Sequence, residues 1–272
     1  MRRAIRAIAF LFFLAVFGVS LWKVIDIQRA YETGENTYSD LQQFVQIPET
    51  LPDSPDASPS PMNPLHNRPE FFYDDDTPWP NVDFDALREI NPDIVGWIYI
   101  EGTDVNYPVV QGEDNKYYLN HLVDGKWNSS GSIFLDAECT DVFTDWHSII
   151  YGHHMLNDSM FSALMDYKQQ EFYDAHPVAL YVTPERRAKI VLFSAYVAKP
   201  TESAWQREFG AREFDRWLEE IGGKSLFVPK YTPNSNDQIV TLSTCSYEFD
   251  GARFVVHGFL LDYTQVVGAQ TP

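Results

Sequence analysis

The chain reads as a mainly β domain, a closed barrel or a sandwich, standing behind an N-terminal helical segment. Two observations predict it. Eight short runs rich in Val, Ile, Tyr and Phe (GWIYI, VNYPVV, GSIFLD, HSIIYG, VALYV, AKIVLFSAYV, QIVTLSTC and ARFVVHGFLL) succeed one another between residues 96 and 261, separated by Gly, Pro, Asn and Asp. With 44% hydrophobic and 22% charged residues, a chain of 272 residues can bury a real core, and neither a wholly disordered chain nor a coiled coil fits.

The first element is apolar. From Ala7 to Trp22 there is no charge, and Ala4, Ile5, Val24 and Ile25 extend the run if Arg6 and Lys23 snorkel. Arg2, Arg3 and Arg6 precede it, which keeps the N-terminus in the cytoplasm and sends the bulk of the chain outside. A cleaved signal peptide is the competing reading. It needs a small-x-small site after the run, where this chain has LWKVIDIQRAYE, so the segment reads as an uncleaved signal anchor at the cell membrane. Val24 to Val45, free of Pro and of Gly except Gly34, suits a helix rising from the membrane. Residues 48–80 then hold 9 of the 17 prolines and read as a semi-extended spacer whose purpose is reach, or as a strap packed on the domain. The division expected is an anchor at 1–25, a helical stalk and Pro-rich spacer at 26–80, a globular domain at 81–265 and a tail at 266–272.

Within the globular part, Asp83 is placed to cap a short helix carrying Phe84, Leu87 and Ile90, which Pro92 ends. Two more helices interrupt the strands. Met160, Phe161 and Leu164 share a face over Ser159 to Tyr167. Phe214, Trp217, Leu218 and Ile221 share one over Gly210 to Ile221, before Gly222 and Gly223 stop it.

Charge and cysteine count exclude whole classes. Lys and Arg number 20 against 39 Asp and Glu; without Arg2, Arg3 and Arg6 the remainder carries 17 bases against those 39 acids, which repels phosphate backbones and excludes nucleic acid as a partner. Two cysteines exclude a disulfide scaffold and a four-cysteine zinc site.

Three residues could carry chemistry together. Cys245 ends QIVTLSTC where a strand leaves the sheet, so its thiol can face a groove; it could equally be a small buried hydrophobe, or be bridged to Cys139. A nucleophile there needs a base or a cation, because a free thiol of pKa about 8.5 is mostly protonated at neutral pH. His153 and His154 follow the strand HSIIYG. Adjacent residues of an extended chain point opposite ways, so at most one faces Cys245; a structural histidine is the alternative for either, and the spacing fits no zinc motif. Arg253 opens the strand after the turn-like SYEFDGA, where a hairpin would set it beside Cys245 to bind an oxyanion. Otherwise it is a surface arginine paired with Asp250 or Glu248.

Taken together these features resemble a family. TLSTC (241–245) followed by Arg253 at a strand start, with YGHHM (151–155) upstream, is similar to the sortases, the membrane-anchored cysteine transpeptidases of Gram-positive bacteria. YPVVQGEDNKYYLNH (107–121), GSIFLD (131–136), SMFSALMDY (159–167) and the helix inserted before the last strands look like class B. The resemblance runs from about residue 84 to 262. It implies an eight-stranded β-barrel with Cys245 as nucleophile, His153 rather than His154 as acid and base, and Arg253 as oxyanion ligand, aided by a backbone N–H just after Cys245. It also implies a substrate groove lined by Asn115, Leu119, Tyr151 and Ser243, and a free thiol at Cys245. The partners implied are secreted proteins bearing a C-terminal sorting signal, cleaved after Thr, and an amine of a peptidoglycan precursor or a pilin. The exchange is nearly isoenergetic and implies no cofactor and no metal; the acids form no cage of EF-hand type. Two rivals remain: a cysteine protease or amidase that hydrolyses the same intermediate, and a non-catalytic surface module.

Overall fold

The structure, a computed structural model, describes residues 2–48, 62–63, 68–69 and 77–263. Helix α1 runs unbroken over Arg2–Gln42, so the expected anchor and stalk are one rod. Its first part exposes apolar side chains, Phe13 at 68% and Trp22 at 63%, and is long and apolar enough to cross a membrane. Its last part docks on the β domain: Tyr38 and Leu41 are buried, and the Tyr38 ring meets Tyr107 edge-on at 5.3 Å.

The Pro-rich spacer does not lie in series between this rod and the domain. Val45–Gln46 pairs antiparallel with Asn81–Val82, with Val45 opposite Val82 and Gln46 opposite Asn81. The Asp83 N–H also donates to the Phe44 carbonyl at 2.9 Å. Both ends of the spacer are thus pinned together beside the docked helix. The expectations of reach or of a packed strap fall on the residues between these paired ends. Most of the spacer, and the tail at 266–272, lie outside the described residues.

The Asp83 carboxylate caps α2 (Phe84–Ile90) by accepting from the Ala86 N–H at 3.0 Å, as its position predicts. All eight β-rich runs become strands: β1 Ile94–Tyr99, β2 Asn106–Val110, β3 Ile133–Leu135, β4 His147–Tyr151, β5 Val178–Val182, β6 Arg187–Ala198, β7 Ile239–Cys245 and β8 Arg253–Asp262. They close into a barrel in the order β6-β8-β7-β4-β3-β2-β1-β5, parallel at β4–β7 and β2–β3 and antiparallel elsewhere. Closure leaves this sheet no exposed edge.

The helix expected over Ser159–Tyr167 is instead a 3-10 segment, Ser162–Lys168, followed by a short helix α3 (Gln170–Ala175). The first turn is disrupted by a distant partner: Met160 sits at φ 61°, and its N–H is captured by the Tyr107 hydroxyl at 3.0 Å. Phe161 and Leu164 are nonetheless fully buried, as their spacing predicts.

The two faces of β7 and β8 bury different things. Val240, Leu242, Phe254 and Val256 join the main core. Ile239, Val255 and Phe259 join a second cluster with Phe214, Trp217 and Ile221 of helix α4 (Glu213–Gly223), which lies on the outer face. An Ile side chain buried in this way contributes roughly 1.5–3 kcal/mol.

Candidate active site

Strand register assembles the site. Cys245, the last residue of β7, is the Cα partner of Arg253, the first of β8. The next pair toward the turn is hydrogen-bonded, Ser246 N–H to the Ala252 carbonyl at 3.0 Å, which makes 245 and 253 a non-bonded pair whose side chains lie closest. The turn between them needs Gly251, whose φ is 72°. On the other side, β4 runs parallel to β7 with Tyr151 opposite Ser243, and the Gly152 N–H donates to the Ser243 carbonyl at 3.1 Å. β4 ends at Tyr151, and two residues beyond it the His153 ring comes within hydrogen-bonding reach of the Cys245 thiol. Thiol and guanidinium share one rung, and the imidazole reaches the thiol from beyond the end of β4.

Gly152 lets the chain leave β4 in this direction. A Cβ there would come within 2.4 Å of Ile133 Cδ1 and 2.7 Å of the Phe161 ring. Beyond it, the His153 carbonyl accepts from Phe161 N–H at 2.9 Å and its ring Nε2 meets the Leu119 carbonyl at 2.6 Å. A carbonyl can only accept, so Nε2 carries the proton.

The electrostatics follow from this contact. A hydrogen bond with His153 lowers the Cys245 thiol from its usual 9.0, against the opposing effect of burial, and the Arg253 charge pulls the same way. The same bond raises His153 above 6.5; burial and Arg253 oppose this, while the Leu119 carbonyl assists. Both shifts favour a thiolate beside an imidazolium, the arrangement of an activated cysteine nucleophile. Both cysteines are free thiols, and Cys139 is buried.

The Arg253 Nη1 donates to the carbonyls of Gly251 at 3.2 Å and Ala252 at 3.0 Å, which fixes the guanidinium plane. The Ser246 N–H, the expected second donor to an oxyanion, is occupied by Ala252 and is withdrawn from that role in this conformation. The His154 ring packs on Tyr247 at 5.2 Å and takes no part in the rung.

The four expected groove residues meet around one carboxylate, one indole and the histidine. Asn115 has both ends of its amide engaged, Nδ2 on Asp136 at 2.9 Å and Oδ1 on the Ala137 N–H at 2.8 Å. The Tyr151 hydroxyl donates to Asp136 at 3.1 Å, and burial with that carboxylate raises its pKa. Leu119 offers its carbonyl to His153 while its side chain is exposed. Ser243 is buried and accepts from Trp205 Nε1 at 3.3 Å.

Sequence reasoning assigned no role to Asp136, which ends GSIFLD, or to Arg207, whose Nη1 lies 3.6 Å from it. GSIFLD was the available signal for the first. The second comes from a loop about 70 residues away and has none. Among the described residues no group of three or more His, Cys, Asp or Glu converges to hold a metal.

The chain has relatives among known proteins. The family model described as Sortase domain matches residues 98–261. Sortase B of Listeria monocytogenes is 34% identical over 178 residues, 64% of this chain and 72% of that protein. Sortase B of Staphylococcus aureus is 35% identical over 176 residues, with the same two coverages. Among solved structures, S. aureus sortase B matches with a TM-score of 0.63 at 34% identity over 66% of this chain and 86% of that one. Sortase B from B. anthracis matches with a TM-score of 0.68 at 29% identity, over 87% of this chain and 100% of that one. The S. aureus enzyme has also been solved as a substrate complex, and sortase B has been solved with triglycine.

Proposed function

The chain belongs to the sortase family, class B, and from that premise we propose that its transpeptidation runs on Cys245, His153 and Arg253. What supports the reading is the pairing of Cys245 with Arg253 across β7 and β8, with the His153 ring interacting with the thiol beside them. The Cys245 thiolate attacks the carbonyl that follows Thr in a C-terminal sorting signal. Oxyanion charge develops opposite Arg253, whose Nη1 is held by the turn, leaving the rest of the fork for the substrate. His153, protonated at the outset, gives its proton to the leaving amine, and a thioacyl enzyme remains. An incoming amine then attacks, His153 takes back a proton, and Cys245 departs as thiolate. One amide replaces another, so the exchange is nearly isoenergetic.

The acceptor is an amine of a peptidoglycan precursor, of the kind that triglycine bound to sortase B presents, or of a pilin. Tyr151, Leu119, Asn115 and Ser243 shape the groove, the last two through Asp136 and Trp205. Helix α1 anchors the chain at residues 1–25 as a single-pass segment with its N-terminus inside, and residues 81–265 form the extracellular catalytic domain. To test this, the full chain in micelles is incubated with a panel of Thr-containing pentapeptides, with and without triglycine. Wild type forms a triglycine adduct and Cys245→Ala forms none while melting at the wild-type temperature. Hydrolysis at the same rate with triglycine present, and no adduct, would replace the transferase with a protease.

A further inference from the structure

Helix α1 lies outside the matched domain of residues 98–261, yet it grips both loops that hold His153. The first is reached through Tyr38. Its hydroxyl donates to the Gly131 carbonyl at 2.5 Å and lies 3.0 Å from Ser132 Oγ. Gly131, at φ 55°, is pressed against residues 118 and 119: a Cβ there would stand 2.6 Å from the Tyr118 oxygen and 2.7 Å from the Leu119 oxygen. Ser132 completes the clamp, with its N–H on the Tyr118 carbonyl and its hydroxyl on that of His121, each at 2.9 Å. The clamped segment presents the Leu119 carbonyl that orients the His153 ring.

The second loop is reached through Glu35, whose carboxylate accepts from Asn157 Nδ2 at 2.6 Å. Asn157 lies along the chain between His153 and Phe161, the residue whose N–H holds the His153 carbonyl. Two further features bring the helix this close. Gly34 faces Ser130, where a Cβ would meet Oγ at 3.0 Å, and the Ala30 carbonyl accepts from Asn128 Nδ2 at 2.8 Å.

We infer that α1 positions His153, with Tyr38 and Glu35 acting through the 118–132 and 153–161 loops. The inference rests on the proposed role of His153. Neither residue touches the reacting atoms; each fixes a loop that fixes the imidazole. Loosening the loops lets the ring turn from the sulfur, which weakens the thiolate and misplaces the proton for the leaving group.

The test uses the full chain in micelles, the pentapeptide that wild type turns over, and iodoacetamide with the adduct at Cys245 quantified by peptide mass spectrometry. Tyr38→Phe removes one oxygen. Its expected effect is a fall of about tenfold in kcat with KM within about twofold, in line with the cost of a small misplacement transmitted from afar. The pH midpoint of Cys245 alkylation rises with it. Glu35→Ala moves both readouts the same way, and Glu35→Gln, which keeps the accepting oxygen, restores them. If Tyr38→Phe and Glu35→Ala leave kcat and the alkylation midpoint at wild-type values, even with a lowered melting temperature, α1 is only a support and the inference is wrong. Should Tyr38→Phe fail to fold, the Glu35 pair decides alone. Full activity in His153→Ala would instead overturn the role of the histidine, and this inference with it.

Discussion

Replacing Arg253 by Lys keeps the positive charge and removes the planar fork. In the structure the two functions of that side chain are separable. One nitrogen, Nη1, is bound to the Gly251 and Ala252 carbonyls at 3.2 and 3.0 Å. The remaining N–H groups are left for the rung that Arg253 shares with Cys245, where directly opposed Cβ atoms lie about 5 Å apart. A lysine ammonium is a point charge that can sit at the turn carbonyls or at the oxyanion, and cannot brace itself on one while donating to the other. The lost interaction is one oxyanion donor, for which the general cost is about 10²–10³-fold in kcat, or about 2.7–4 kcal/mol. No compensating donor stands ready at Ser246, because its N–H is bonded to Ala252. The charge near the sulfur persists, so the pH midpoint of Cys245 alkylation should stay close to wild type. The assay is kcat on the cleaved pentapeptide beside iodoacetamide rates across pH. Activity within about threefold of wild type would remove the oxyanion role. A loss that tracks a raised alkylation midpoint would show that the arginine acts on the thiolate instead.

The pH profile has a sign fixed by two shifts: with Cys245 lowered from 9.0 and His153 raised from 6.5, the thiolate–imidazolium pair is lost as pH falls through the thiol's lowered pKa and as it rises through the histidine's raised one. Alkylation of Cys245 should therefore show a midpoint below 9.0 that moves upward in His153→Gln; an unmoved midpoint would mean the histidine does not govern the sulfur. His154→Ala should change kcat less than about threefold, since its ring packs on Tyr247, and a large loss there with His153→Ala tolerated would exchange their roles. Gly152→Ala drives a methyl into Ile133 and Phe161 and should cost about 1–3 kcal/mol in a denaturant melt, with kcat falling as His153 is displaced; an unchanged melt would show that this junction has slack.

Much of the architecture was legible because local chemistry and tertiary environment agree. Each β-rich run had enough branched and aromatic residues to favour a pleated, buried surface, and each became a strand. The pairing of Cys245 with Arg253 was legible for a related reason, a strand end and a strand start joined by a short turn at one rim, whereas the choice of His153 over His154 came from the family resemblance alone. What failed to show was long-range. The apolar spacing of Met160, Phe161 and Leu164 called for an α-helix, and a hydroxyl more than 50 residues away bent its first turn. Arg207 reaches Asp136 from a loop with no periodicity of its own. The occupied Ser246 N–H depends on how the 246–252 turn closes, which composition does not specify. The proline content of 48–80 pointed to an extended spacer but said nothing about whether its two ends would meet.

That meeting changes the mechanics of the molecule. Because Val45–Gln46 and Asn81–Val82 are stitched side by side, pulling on α1 loads the two-rung ladder and the Tyr38 and Leu41 contacts before any force enters the Pro-rich stretch. The ladder, not the stretch beyond it, takes up that load first. The rod, by contrast, is coupled directly to the rim where the thiol sits, and a tilt of the one is felt at the other.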